Sequence, residues 1–331
     1  IESILNQTYP KIELIIVNDG STDDTEKILR HYSDKIFVVH QENHGIAHAL
    51  NTGIRQAQGK YLARLDSDDI AINTRIEVQV EFLEKNPDIG IMGSASYLID
   101  GTGKKWGIHK TPFDDTSIRW MLLFKSPFVH PSTIFRRGCY DFVENGYHEN
   151  MVPAEDYDMW IRLLLVTKAA NSPRPLIRYR MHPENLTTLD NKRMISTSER
   201  LSNVAIRTTL PNINSELSQD EIDEIRALLY ANLKKYHLLK DTRTNTIINY
   251  LKLWRLFVTS LKLSETEISR TQVQMLTRAG QMALYPPLPK NVDRILPELS
   301  KIDSKWWQYF LASLPGGLIK IYRGRFFWKN P

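Results

Sequence analysis

The stretch Arg64-Leu65-Asp66-Ser67-Asp68-Asp69 places three carboxylates at the end of Lys60–Leu65, an apolar run with the composition of a buried strand. Unpaired carboxylates are costly to bury, so a cation is expected beside them. In extended backbone, residues i and i+2 face the same way, so Asp66 and Asp68 can converge on one ligand. Hard oxygen donors suit Mg²⁺ or Mn²⁺, which keep open positions for phosphate oxygens. The plain counterpart is a solvated acidic turn capping the next helix.

Three further clusters carry chemistry. Asp19, in Val17-Asn18-Asp19-Gly20-Ser21, follows the strand-like run Ile12–Val17, at the carboxyl edge where open α/β sheets bind ligands; alone, such a sequence is an ordinary turn. Glu155-Asp156-Tyr157-Asp158 opens a helix after Pro153. First-turn acids ordinarily complement the helix dipole, but one facing a site can accept a proton from an attacking hydroxyl, its acidic neighbours keeping it basic. Arg178-Tyr179-Arg180-Met181-His182 closes a strand Pro173–Arg180 with two cations and an imidazole, a set able to hold a diphosphate and its metal.

The elements that must position these residues read as an α/β domain. Short apolar runs (Ile12–Val17, Ile36–Val39, Lys60–Leu65) alternate with helical stretches (Glu26–Tyr32, Gly45–Gln56, Arg75–Lys85), the pattern of a parallel sheet with crossover helices. Ser21–Asp24 reads as a helix cap, and Ile1, Ile4 and Leu5 as a helix closed by Tyr9-Pro10. Strands Ile89–Leu98, Lys104–His109 and Ser132–Arg136, with a helix near Thr116–Phe124, read as antiparallel additions. Strands stop after about Leu189, where helices Ile222–Leu239, Ile247–Leu263 and Glu267–Leu284 take over, the first behind a capping box at Ser218–Glu221. The expected division is therefore a catalytic domain over 1–188 and a helical domain over 189–331.

Length and composition bound the function. A chain of 331 residues with 42% hydrophobic and 24% charged content is globular and large enough for an enzyme. Cys139 is the single cysteine, which excludes an internal disulfide and a thiolate metal site and favours a reducing, cytoplasmic setting. No run of 18 apolar residues appears. A net charge of +5 suits phosphorylated substrates, anionic membranes or nucleic acid, but no nucleic-acid-binding motif accompanies it, so nucleic acid is not expected as a partner. The tail Lys305–Lys329 mixes aromatic and basic residues, as the headgroup boundary of an anionic bilayer would require; an aromatic tail packed on its own protein has the same composition.

The four clusters, in their order and separation, resemble the family 2 glycosyltransferases of GT-A fold over residues 1 to 185. Ser3–Tyr9, Val17–Ser21, Asn43-His44-Gly45 with Ala49-Leu50-Asn51, Tyr61–Asp69 and Glu155–Trp160 carry the resemblance. It implies an inverting transfer from a nucleotide-sugar donor, UDP above all, to a glycan or lipid-linked acceptor in surface-polysaccharide synthesis at the inner face of the cytoplasmic membrane. It further implies that Asp19 contacts the base, Asn43 and Gly45 lie beside the donor, Asp66 reaches the ribose or metal, and Arg180 helps hold the diphosphate. Asp68 would ligate the divalent ion, with His182 a further ligand or phosphate contact; Asp156 would be the general base, Glu155 would contact a sugar, and His130 would lie near the acceptor. The family's first strand, which precedes the Ser3–Gln7 helix, is not in this sequence. Two other readings stay open at this level: a metal-dependent sugar nucleotidyltransferase, which would release pyrophosphate, and a non-catalytic carbohydrate-binding protein.

Overall fold

A computed structural model describes residues 1–143, 146–183, 190–230, 243–284, 292–306 and 308–309. The chain divides into two compact units, 1–205 and 206–331.

In the first unit, β1 (Ile15–Asp19) pairs in parallel with β2 (Phe37–Gln41), and the helices α2 (Thr25–Arg30) and α3 (Ile46–Gln56) follow them. Register sets Asp19 opposite Gln41 at the carboxyl ends. A second sheet runs β3 (Tyr61–Ala63), β7 (Ile134–Arg136), β5 (Ile89–Ile99), β8 (Lys168–Arg180) and β4 (Ile70–Ala71), with β6 (Lys105–His109) paired to β5. Only β5 and β8 are parallel within it. The three βα repeats of the sequence reading therefore do not form one parallel sheet among the described residues: β3 pairs antiparallel with β7, and no ladder joins it to β1. Continuous apolar runs announce buried strands without fixing their direction.

Two boundaries moved for physical reasons. The last strand begins at Lys168, not Pro173, because the small and polar stretch Ala169–Ser172 is buried by pairing with β5. Register shifts opposite Pro175 accommodate the missing N–H there. The N-terminal helix, α1 (Glu2–Leu5), is shorter than its apolar spacing suggests. Gln7 stops it with its side chain, donating to Ser3 O and Ile72 O at 2.8 Å and accepting from Ile76 N at 3.0 Å. The Ser3–Tyr9 phrase thus ties the start of the chain to the segment between β4 and α4 (Arg75–Lys85).

The core of this unit gathers around Trp160 on α7 (Glu155–Leu163), which packs edge-on against Phe128 and Phe135. Ile118 and Leu122 of α5 (Asp115–Leu122) and Leu201 of α8 (Asn191–Thr209) close it. Burying these large side chains holds the start of α7, with its three acids, against the sheet; a fully buried residue of this size contributes about 2–3 kcal/mol.

The second unit is helical in every described element: α9 (Gln219–Tyr230), α10 (Arg243–Ser260), α11 (Glu265–Leu284) and α12 (Ile295–Ile302). The capping box at Ser218 forms as expected, Glu221 N donating to Ser218 Oγ while Ser218 N donates to Glu221 Oε2 at 2.8 Å. Ile225, Leu251, Phe257, Leu276 and Leu299 are buried. Residues 231–239 of the expected helix Ile222–Leu239, and most of the tail, including Trp307, Phe310, Lys320, Arg323 and Trp328, lie outside the described residues. No described helix is long and apolar enough to cross a membrane.

Candidate active site

The loop from β3 to β4 holds Asp66, Asp68 and Asp69, and pairing of β4 with Ile177 and Arg178 brings the end of β8 beside it. Oxygens of the three carboxylates lie within 4.8 Å of one another. The expected cation is supplied by the chain itself. Arg64 forms a two-pronged ion pair with Asp66, its side chain only 9% exposed. Arg75, fully buried at the start of α4, donates to Arg64 O at 2.7 Å and Thr133 O at 3.1 Å. Burial, with the Arg64 charge beside it, draws Arg75 down to about 9.

Charge within the loop is only partly compensated. Burial pushes Asp66 above its ordinary range against the pull of Arg64. Asp69 is pushed up to about 7, first by burial and then by Asp66 and Asp68, although Arg180 N donates to its Oδ1 at 2.7 Å. Its Oδ2 is buried without a hydrogen-bond partner. An acid triad with a surplus of negative charge and an orphaned buried oxygen fits a hard divalent cation. His182 Nε2 stands 3.0 Å from Asp68 Oδ2. The Arg180 guanidinium is turned to backbone: Nε donates to Asp68 O at 2.8 Å, and Nη1 to Asp100 O and Gly101 O at 3.0 Å. Its contribution here is to pin the acidic loop to the β5–β6 turn.

Asp19 is equally engaged. Oδ1 accepts from Gln41 Nε2 at 2.7 Å and His44 N at 2.9 Å, and Oδ2 from Gly45 N at 2.8 Å. Burial works to raise it, but these donors outweigh burial and hold the carboxyl below its ordinary range. A carboxylate offers about four lone-pair sites, so three donors leave one for a ligand. Asp19 thereby fixes the Asn43–Gly45 loop at the carboxyl end of β1 and β2. Gly20, at φ +72°, makes this possible: a Cβ there would stand 2.8 Å from Asn43 N.

Glu155 and Asp156 open α7. Glu155 is 5% exposed, and its Oε2 has no hydrogen-bond partner. Burial, then the Asp156 charge, push Glu155 up; burial also pushes up Asp156, which accepts from Tyr157 N at 2.7 Å and Ser126 Oγ at 3.1 Å. The Arg64 charge lowers both acids, as it does Asp66, while the Asp66 charge raises Glu155, so the acid pair and the triad share one electrostatic field. Asp158 belongs elsewhere, bound to His148 at 3.0 Å and Arg162 at 2.6 Å. His130 shares a hydrogen bond with Tyr147 OH at 3.0 Å and meets Trp160 edge-on. Burial, aided by the Arg64 charge, holds its imidazole well below the ordinary range, hence neutral.

Arg64 and Tyr147 are the members that the sequence reading passed over. Arg64 stands two residues before Asp66 in extended backbone, a same-face spacing that would have found it. Nothing local signals Tyr147, whose backbone is held by both polar atoms of Asn51 at 2.8 Å, across 96 residues of sequence.

Residues 1–141 match the family model for glycosyl transferase family 2. An uncharacterized glycosyltransferase of Haemophilus influenzae is 31% identical over 274 residues, covering 76% of this chain and 85% of that protein. The chain belongs to glycosyltransferase family 2. The amylovoran biosynthesis glycosyltransferase AmsE of Erwinia amylovora is 28% identical over 185 residues, 54% of this chain and 68% of that one. Among solved structures, S. aureus TarS 1-349 in complex with UDP-GlcNAc superposes with a TM-score of 0.51 at 18% identity, covering 99% of this chain and 88% of that one. That likeness is one of fold: the transferase has the GT-A architecture, a mixed sheet with flanking helices, followed by helices.

Proposed function

We propose that this family 2 enzyme transfers a sugar, with inversion at the anomeric carbon, from a UDP-sugar to a hydroxyl of a glycan or lipid-linked acceptor during surface-polysaccharide synthesis. One observation carries the reading: Asp66, Asp68 and Asp69 bring carboxylate oxygens within 4.8 Å of one another, one buried oxygen of Asp69 has no partner, and His182 Nε2 stands 3.0 Å from Asp68 Oδ2. Two acidic sites of different character are what the reaction needs, one to hold a cation that would meet the anionic leaving group and one to take a proton from the attacking hydroxyl.

Asp66, Asp68 and Asp69 would hold Mn²⁺ or Mg²⁺, with His182 beside Asp68; bound there, the ion would neutralise a departing nucleoside diphosphate. Asp19 holds the Asn43–Gly45 loop toward the nucleotide and keeps one lone-pair site for the base. Asp156 takes the proton from the acceptor hydroxyl as it attacks. Its raised proton affinity, due to burial, makes it a stronger base than an exposed aspartate. Glu155, beside it with an unpaired buried oxygen, contacts a sugar hydroxyl. His130 and Tyr147 line the acceptor side as a neutral, hydrogen-bonded pair. The TarS complex with UDP-GlcNAc and the amylovoran role of AmsE support a nucleotide-sugar donor and a polysaccharide product.

The test is a panel of UDP-sugars with saccharide and lipid-linked acceptors, following released nucleotide and the anomeric configuration of the product by NMR. UDP with inverted configuration is expected. Retained configuration would remove Asp156 from its role, and pyrophosphate as the released product would overturn the transfer.

A further inference from the structure

Among the described residues β6 pairs with β5 alone, an edge position, and it exposes its apolar side chains. Trp106 is 60% exposed and Ile108 47%. Ile108 lies opposite Tyr97 and Lys105 opposite Ile99, so both stand on the Tyr97 side of the sheet; the register shift passes over Trp106. Lys105 Nζ sits 3.7 Å from the Tyr97 ring centroid. On the other flank Arg178 pairs with Tyr97 and is exposed on the same side. Lys104 and Lys110, also exposed, bracket the strand. From residue 99 to 113 the only acid is Asp100, whose carboxylate accepts from Thr102 and Lys104 within its own turn. The result is an exposed Trp and Ile set among four cations.

Lysines alone would be an ordinary guard of a free strand edge. An exposed Trp and Ile beside them defeat that purpose, and match instead the apolar-plus-basic composition of a surface that enters the headgroup layer of anionic lipid. A second copy of the chain fits less well, because pairing β6 with itself would bring its lysines together. We propose that the β5–β6 hairpin docks the enzyme on an anionic bilayer. Arg180 ties this hairpin to the site, bonding Asp100 O and Gly101 O at the turn and Asp68 O in the acidic loop. Docking there sets the donor site beside the lipid surface, within reach of an acceptor carried on a lipid. The docking claim rests on β6 and the cations around it and not on the acid triad, so it can fail while the transfer reading stands, and the reverse.

Sedimentation of the full chain with vesicles of phosphatidylcholine alone, or of phosphatidylcholine with phosphatidylglycerol, tests it. Two variants accompany the parent: Trp106→Ala with Ile108→Ser, and Lys104→Glu with Lys105→Glu and Lys110→Glu. The parent should bind only the anionic vesicles and release in high salt. Both variants should lose at least tenfold in binding while keeping the parent's unfolding transition and UDP affinity. Failure of the parent to bind overturns the proposal, as do variants that bind like the parent, which would locate membrane contact elsewhere. Self-association of the parent that the same substitutions abolish would assign β6 to a second copy and equally overturn it.

Discussion

At the scale of single residues, Arg64 is the cation whose charge acts on both acidic clusters. It pairs with Asp66 and lowers the proton affinity of Glu155 and Asp156, while Arg75 braces it from behind through its carbonyl. Compensation is incomplete, which leaves the acidic loop with a surplus of negative charge and a buried oxygen without a partner. Asp156→Asn keeps the shape but removes the proposed base, so kcat should fall by about 10²–10⁴ with UDP affinity unchanged; steady-state kinetics and calorimetry on the same variant check this. Glu155 gives a stability test. Its folded-state proton affinity is raised, so its ionised form costs stability at pH above the ordinary carboxylate range, and the cost vanishes at lower pH where the folded and unfolded chains are both protonated. Glu155→Gln should therefore stabilise the enzyme by about 1–2 kcal/mol at pH 8 and by little at pH 4, as thermal unfolding at the two values would show.

Among the elements, β1 and β2 work through their ends. Asp19 and Gln41 are register partners, and their contact fixes the loop that enters α3. Gly20→Ala would force a Cβ into a left-handed backbone position and against Asn43 N; a loss of about 1–2 kcal/mol in stability and a weaker UDP affinity are expected together, from denaturant unfolding and calorimetry. In the second unit, Ser218→Ala should cost about 1 kcal/mol with no change in UDP affinity, because the capping box serves only α9.

These elements also mark what a sequence can disclose. α4 was legible to the residue because its apolar spacing and buried face agree, and so was the capping box, because both reciprocal bonds are local. β4 was not: two residues carry no period, and Ile70–Ala71 is a strand only because β8 pairs with it. The direction of β3 was equally hidden, since its partner β7 lies more than 70 residues on. Within the site, the acids announced themselves by clustering at strand and helix ends. The engagement of Asp19 and Arg180 with backbone did not, because it depends on which loops the sheet brings together.

On the scale of the whole molecule, the GT-A unit gathers the candidate residues from three places: Asp19 from the end of the β1–β2 sheet, Asp66, Asp68 and Asp69 from the β3–β4 loop of the larger sheet, and Glu155 and Asp156 from a helix seated by Trp160. The acid triad is the claim on which the rest depends, and its surplus charge predicts that nucleotide and metal bind together. Calorimetry of UDP binding, with and without Mn²⁺, on the parent and on Asp68→Ala measures this most directly. UDP should bind the parent only when Mn²⁺ is present, and the variant should lose at least tenfold of that affinity. Equal UDP affinity with and without the ion, or in the variant and the parent, would contradict the account.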